Sequence, residues 1–210
     1  AANVVGWIEG SEKPNTFIVI SAHYDHDGVK RGEVYNGADD NASGTAALFA
    51  IAEHFIRNRP AHSLIFVAFD AEEKGLRGSK HFVANPPVKK TSIALNINMD
   101  MISRDNNNEL YVSGAYHYPF IKKYIQPTKK YSKVKILFGH DSPDLGKDDW
   151  TKSSDHGSFH AQKIPFIYFG VEDHEDYHRP SDTFERIDPK FYVNAVETII
   201  KITGFVDRNF

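Results

Sequence analysis

The chain has 210 residues, 40% hydrophobic, 25% charged and 13% aromatic, with a formal net charge of -3 and no cysteine. Its length suits one well-buried domain spanning residues 1–210, its charge lacks the basic footprint of a general nucleic-acid binder, and no apolar run approaches a membrane span. Without thiols, disulfides and thiolate metal sites are excluded, so any metal must be held by His, Asp and Glu.

The chain opens Ala-Ala-Asn, with neither an initiator methionine nor a signal peptide, and is read as a processed or trimmed product. Residues 3–9 (NVVGWIE) and 16–22 (TFIVISA) are β-rich runs either side of a turn-forming GSEKPN and predict a hairpin. Residues 30–41 read as a loop, followed by a helix over about 43–58 with Ala46, Ala47, Phe49, Ala50, Ile51 and Phe55 as its buried face. Ser43 is expected to cap that helix, and Gly44 to allow a close approach.

After Pro60, residues 64–69 (LIFVAF) form a continuous apolar run, the mark of a strand covered on both faces. Three carboxylates follow at once, Asp70, Glu72 and Glu73, at the carboxyl end of a core strand, where open α/β sheets place their ligands. Such a cluster needs a positive partner, and with no basic cluster nearby a metal ion is the candidate. Further on, 76–83 predicts a short helix, 92–98, 109–113, 133–138 and 165–169 strands, 118–125 and 154–162 helices, and 189–205 a closing amphipathic helix. The polar stretches 140–152 and 170–182 read as loops able to rim a site. Strand and helix alternate throughout, as in a doubly wound or mixed α/β sheet.

The chemistry-bearing residues share one pattern, an apolar strand with carboxylates or histidines at its far end: His23 and Asp25, Asp39 and Asp40, Glu72 and Glu73, Asp100, and His178 in the loop after PFIYF. Side chains at i and i+2 of a strand point the same way, so His23 and Asp25 are able to converge. Each residue taken singly also has a bland reading as a cap or solvated loop residue. That reading is applied to His54, His62, His81 and His117, while His26 and His160 are placed at the site rim or surface.

Six segments taken together go further: SAHYDHDG (21–28), NGADDNASGTAAL (36–48), FDAEEKGLRGS (69–79), NMDMIS (98–103), SSDHGSFHAQKIP (153–165) and DYHRPSDT (176–183). They resemble, in order, the zinc aminopeptidase family typified by secreted bacterial leucyl aminopeptidases, which also includes glutamate carboxypeptidases and glutaminyl cyclases. The resemblance implies a single α/β/α sandwich with a mixed, mostly parallel sheet, the zinc exopeptidase or phosphorylase/hydrolase-like fold. It implies two zinc ions per chain. His23 and Asp100 would hold one, Glu73 and His178 the other, and Asp40 would bridge them, with a cis Asp40–Asn41 peptide. Asp25 would orient His23, Asp155 would support the site through hydrogen bonds, with His156 in a similar role, and Asp70 has no assigned chemistry. Glu72 matches the general base; Tyr177 matches either a donor to the oxyanion or a residue packed under its loop.

The activity so implied is hydrolysis of a peptide bond beside a free α-amino group, Glu72 carrying the proton from water to the leaving amine. The partner is a peptide with a free N-terminus, the amine meeting Glu72 and Asp100, and the family's location is secreted or in the periplasm or cell envelope. Composition says nothing about oligomeric state. Glutaminyl cyclisation, with a single zinc, is the nearest alternative. Carboxypeptidase action would need a basic pocket, for which Arg77, Arg104 and Arg179 are unassigned candidates. A scaffold-only binding domain is the non-enzymatic reading, although all five metal-ligand positions are filled. Family domains carry additional chain before the first strand, so one sheet face is expected to lack helical cover, exposing apolar surface that favours self-association.

Overall fold

The computed structural model describes residues 2–210. The strands are β1 (Val4–Ile8), β2 (Lys13–His23), β3 (Gly28–Lys30), β4 (Glu33–Tyr35), β5 (His62–Phe69), β6 (Ile93–Met99), β7 (Glu109–Ser113), β8 (Lys135–Phe138) and β9 (Phe166–Gly170). The helices are α1 (Gly44–Arg57), α2 (Arg77–Ala84), α3 (Lys122–Ile125), α4 (His156–Ala161) and α5 (Pro189–Asn209). Seven strands form one sheet in the order β1-β5-β2-β6-β9-β7-β8, and β3 pairs with β4 as a small hairpin across the start of the stretch expected to be a loop. The β5-β2-β6-β9 centre is parallel, while β1 runs antiparallel to β5 and β7 antiparallel to β9.

The expected hairpin of residues 3–9 with 16–22 does not form. Instead β5 lies between the two runs, with Val5 opposite Val67 on one side and Val19 opposite Ile65 on the other. The reason is burial: Ile18, Val19 and Ile20 are wholly enclosed and need strand neighbours on both edges, whereas Val4 and Trp7, each 64% exposed, suit an outer strand. The connection is tied down by amides of Ser11 and Lys13 donating to the carbonyls of Pro60 and Ala61, just before β5.

Alternation along β2 sends Ile18 and Ile20 to one face of the sheet and Val19 to the other. The first face packs against Ala47, Ile51 and Phe55 of α1 and Phe191, Ile199, Ile202 and Val206 of α5. The second packs against Phe82 and Val83 of α2 and Phe159 of α4, so helices cover both faces. Each such aliphatic or aromatic burial is worth about 1.5–3 kcal/mol. Phe49, expected on the buried stripe of α1, is 74% exposed, because the core-facing positions step from Leu48 to Ile51 to Phe55 at helical spacing. It shares an apolar surface with Val4 on the β1 edge. No helix among the described residues is long and apolar enough to cross a membrane.

Candidate metal centre

Parallel register brings β2, β5, β6 and β9 to a common edge, His23 opposite Phe69 and Met99 opposite Phe169. Strand order reverses across β2, since the chain passes from β2 to β5 on one flank and then to β6 on the other. That is the crevice where α/β sheets bind ligands. His23 ends β2, Asp100 follows β6, Glu72 and Glu73 follow β5, and His178 lies in the loop after β9.

The Ala38–Ser43 turn carries Asp40 across this crevice, with Asp40 and Asn41 leaving helical backbone geometry and the Asp40–Asn41 peptide cis as expected. Asp182 holds the turn from outside, its carboxylate accepting the amides of Asp39 at 3.0 Å and Asp40 at 3.1 Å. Asp39 is buried and accepts the Ser103 amide at 2.7 Å, while its other oxygen lies 2.9 Å from His174 Nε2. Ser43 is not the side-chain cap of α1. Its hydroxyl turns back to the Asp39 carbonyl, and Asn41 Oδ1 takes the Gly44 amide at 2.9 Å instead. Gly44 does permit a close approach, since a Cβ there would stand 2.6 Å from the Met99 carbonyl oxygen.

Asp40 divides its oxygens between two groups. Oδ1 lies 3.2 Å from His23 Nε2, which is 3.3 Å from Asp100 Oδ1. Oδ2 lies 3.1 Å from His178 Nε2, which is 3.6 Å from Glu73 Oε2. All five residues expected to ligate metal therefore converge, in two sets with Asp40 common to both.

The electrostatics describe a centre short of positive charge. Burial, reinforced by Asp100, pushes the Glu72 carboxyl up to about 9, and burial also raises Asp100. Burial opposes the charge on His23, but Asp100, Asp40 and Glu72 together outweigh it and raise that imidazole well above its ordinary value. Burial likewise works against ionised Asp40, yet hydrogen bonds from His178 and His23 hold it far below the usual carboxylate range. Buried imidazoles and carboxylates at these separations are the donors a cysteine-free zinc site uses, and His23, Asp40 and Asp100 lie close enough together to share one ion.

The structure places the supporting residues differently from expectation in two places, at Asp25 and His26. His23 Nδ1 faces the backbone carbonyl of Asp25 at 3.0 Å, with the Asp25 carboxylate 3.7 Å away. That carboxylate instead accepts the amides of Glu72 at 2.9 Å and Glu73 at 3.3 Å, fixing the turn that presents them. Asp155 is fully buried beside the centre, and burial pushes it up to about 7, although His23 and Ser79 favour its charged form. His26, placed at the rim by sequence, is inside the site, its Nδ1 2.8 Å from Glu73 Oε1.

Among the remaining residues, Asp70 accepts the Ala2 amide at 2.7 Å and so anchors the start of the chain. His156 Nε2–H donates to the Trp150 carbonyl at 2.8 Å. His62 is buried and bonded to Asp207 rather than solvated. Arg104, a candidate for a basic pocket, is already paired with Asp176 at 2.6 Å.

A cleft of ≈ 430 Å³ opens onto Asp40, Glu72, Glu73, Asp100, Tyr177 and His178, with Met101, Trp150 and Val171 as apolar walls. The Tyr177 ring lies tilted against that of His178 with centroids 4.0 Å apart, and burial, aided by Asp40, keeps its hydroxyl protonated. Ala71, Met101 and His178 all take left-handed backbone, with φ of 57°, 57° and 53°, a conformation uncommon for non-glycine residues.

The fold and the donor set are those of the α/β metallopeptidases. The chain belongs to peptidase family M28, whose model matches residues 3–203. It is 32% identical over 195 residues to aminopeptidase YwaD of Bacillus subtilis, covering 86% of this chain and 40% of that protein. It is 38% identical over 117 residues to a glutamate carboxypeptidase 2 homolog of Caenorhabditis briggsae, covering 52% of this chain and 14% of that one. The structure of BSAP, a zinc aminopeptidase from Bacillus subtilis, superposes with a TM-score of 0.78 at 25% identity, over 96% of this chain and 49% of that one. The chain thus spans less than half the length of these relatives.

Proposed function

We propose that this protein is a zinc-dependent aminopeptidase, removing N-terminal amino acids from peptides with two zinc ions and Glu72 as the proton carrier. The observation that carries the reading is Asp40, whose two oxygens face two separate imidazole–carboxylate sets. His23, Asp40 and Asp100 would hold one ion and Asp40, Glu73 and His178 the other. Bound zinc supplies a Lewis acid for the scissile carbonyl and lowers the pKa of water.

Everything else falls to the protein. Glu72 borders the cleft with its amide clamped by Asp25, so its carboxyl is held in place to take a proton from the attacking water and return it to the leaving amine. Its raised proton affinity is the property such a carrier needs, and positive charge held at the Asp40 centre would lower it. Glu72 and Asp100 offer negative charge to the substrate's free α-amine. The protonated Tyr177 hydroxyl is a donor for the developing oxyanion. Secretion or residence in the cell envelope is proposed from the family resemblance alone.

Glu72→Gln tests the assignment. The variant should keep its zinc and lose roughly 10²–10⁴-fold in kcat on aminoacyl-nitroanilides; near-normal turnover overturns Glu72 as the base. Zinc content of two per chain separates this reading from single-zinc glutaminyl cyclisation.

A further inference from the structure

His26 has no role in the mechanism above, yet its side chain is 8% exposed and neither ring nitrogen makes a well-formed hydrogen bond. Its Nδ1 lies 2.8 Å from Glu73 Oε1 and 3.8 Å from Asp40 Oδ2, and Glu73 Oε1 is itself a buried oxygen without a hydrogen bond. Two electron-pair donors this close are near enough to share a third partner. Zinc bonds of about 2.0–2.2 Å put neighbouring donors of a tetrahedron roughly 3.3–3.6 Å apart, within the spread seen here. These three residues lie close enough together to hold one ion.

The slot for the ring is built into the chain. Gly37 has φ +64°, and a Cβ there would stand 2.7 Å from His26 Cγ. His178 Nε2 approaches Asp40 Oδ2 at 3.1 Å and Glu73 Oε2 at 3.6 Å, and the two rings stand edge to face with centroids 5.8 Å apart.

We propose that His26 Nδ1 is a fourth protein donor to the ion held by Asp40, Glu73 and His178, making that position the tighter of the two. This rests on the two-metal reading. One position then has three protein donors and the other four, the closed set typical of firmly held zinc. The competing arrangement is a His26 imidazolium paired with Glu73. A cation there repels metal, so the two arrangements predict opposite signs when His26 is removed.

The test uses the metal-stripped 210-residue chain, titrated with Zn²⁺ against a chromophoric chelator and separately with Co²⁺ followed by visible absorption. The native chain should bind two ions of unequal affinity. His26→Ala should weaken the tighter one at least tenfold and alter its cobalt spectrum, leaving the other unchanged; His26→Gln serves if the alanine variant does not fold. Two ions bound with unchanged or increased affinity in a folded variant overturn the His26 assignment alone. A native chain that takes up fewer than two ions overturns the two-metal reading and this assignment with it.

Discussion

His156 shows how burial rather than bonding sets the behaviour of a single side chain. Burial drives its imidazole down to about 3 from an ordinary 6.5, against the Trp150 carbonyl, which favours the charged form. Between those values the unfolded chain binds a proton that the native chain does not, so stability rises with pH across this window and is lost as pH falls through it. His156→Gln, which keeps a donor for Trp150, should therefore remove about 2–3 kcal/mol of the stability difference between pH 7 and pH 4.5. Urea unfolding of both proteins at the two pH values measures this, and an identical pH dependence would refute it. His26 marks the limit of reading single residues from sequence. The strand ends at His23, so the period-two rule that pairs His23 with Asp25 says nothing about the next side chain. Asp182 and His174 escaped for a related reason, because each acts on Asp39 or Asp40 from about 140 residues away.

Elements were legible where local pattern and burial agree. The expected strand 109–113 is β7 to the residue, and α1 and β6 fall within a residue of their expected bounds. The closing helix was expected to end at 205 and runs on to Asn209. Its start is fixed by chemistry near the chain break in pattern: Asp188 Oδ1 accepts the amides of Lys190 at 2.9 Å and Phe191 at 3.0 Å, with Pro189 in the first turn. Asp188→Ala should cost about 1 kcal/mol in thermal or urea unfolding and leave metal content untouched. A loss of metal would show that α5 does more than pack against the sheet. The 140–152 stretch has no periodicity, yet it is held by His140 stacked on Trp150 at 3.7 Å and by Asp141, which accepts the amides of Gly114 and Tyr116. Aperiodic sequence conceals such order because the partners lie at opposite ends of the segment or outside it.

At the scale of the molecule, one buried carboxylate joins the last helix to the central sheet. Asp207 accepts the amides of Ala61 and His62, each at 2.8 Å, where β5 begins. Removing it in Asp207→Ala leaves two buried donors unpaired and should cost about 2–4 kcal/mol in urea unfolding. A change below about 0.5 kcal/mol would show that water replaces the carboxylate. Because α5 and β5 lie on opposite sides of the chain's midpoint, this contact also closes the fold around the parallel strands that carry the site.

By itself the sequence determined the kind of element and where the chemistry sits along it. Uninterrupted apolar runs make central strands, and the polar residues that cannot follow them into the core collect at their ends, as at Glu72, Glu73 and Asp100. Strand order was beyond it: nothing local distinguishes a hairpin of β1 with β2 from the insertion of β5 between them, since that choice rests on which strand is buried on both edges. The same holds for the centre. Six motifs named five converging residues, but only the folded backbone turns one oxygen of Asp40 toward His23 and the other toward His178, and brings His26 against Glu73. Side-chain direction beyond the end of a strand is set by tertiary packing, and no periodicity encodes it.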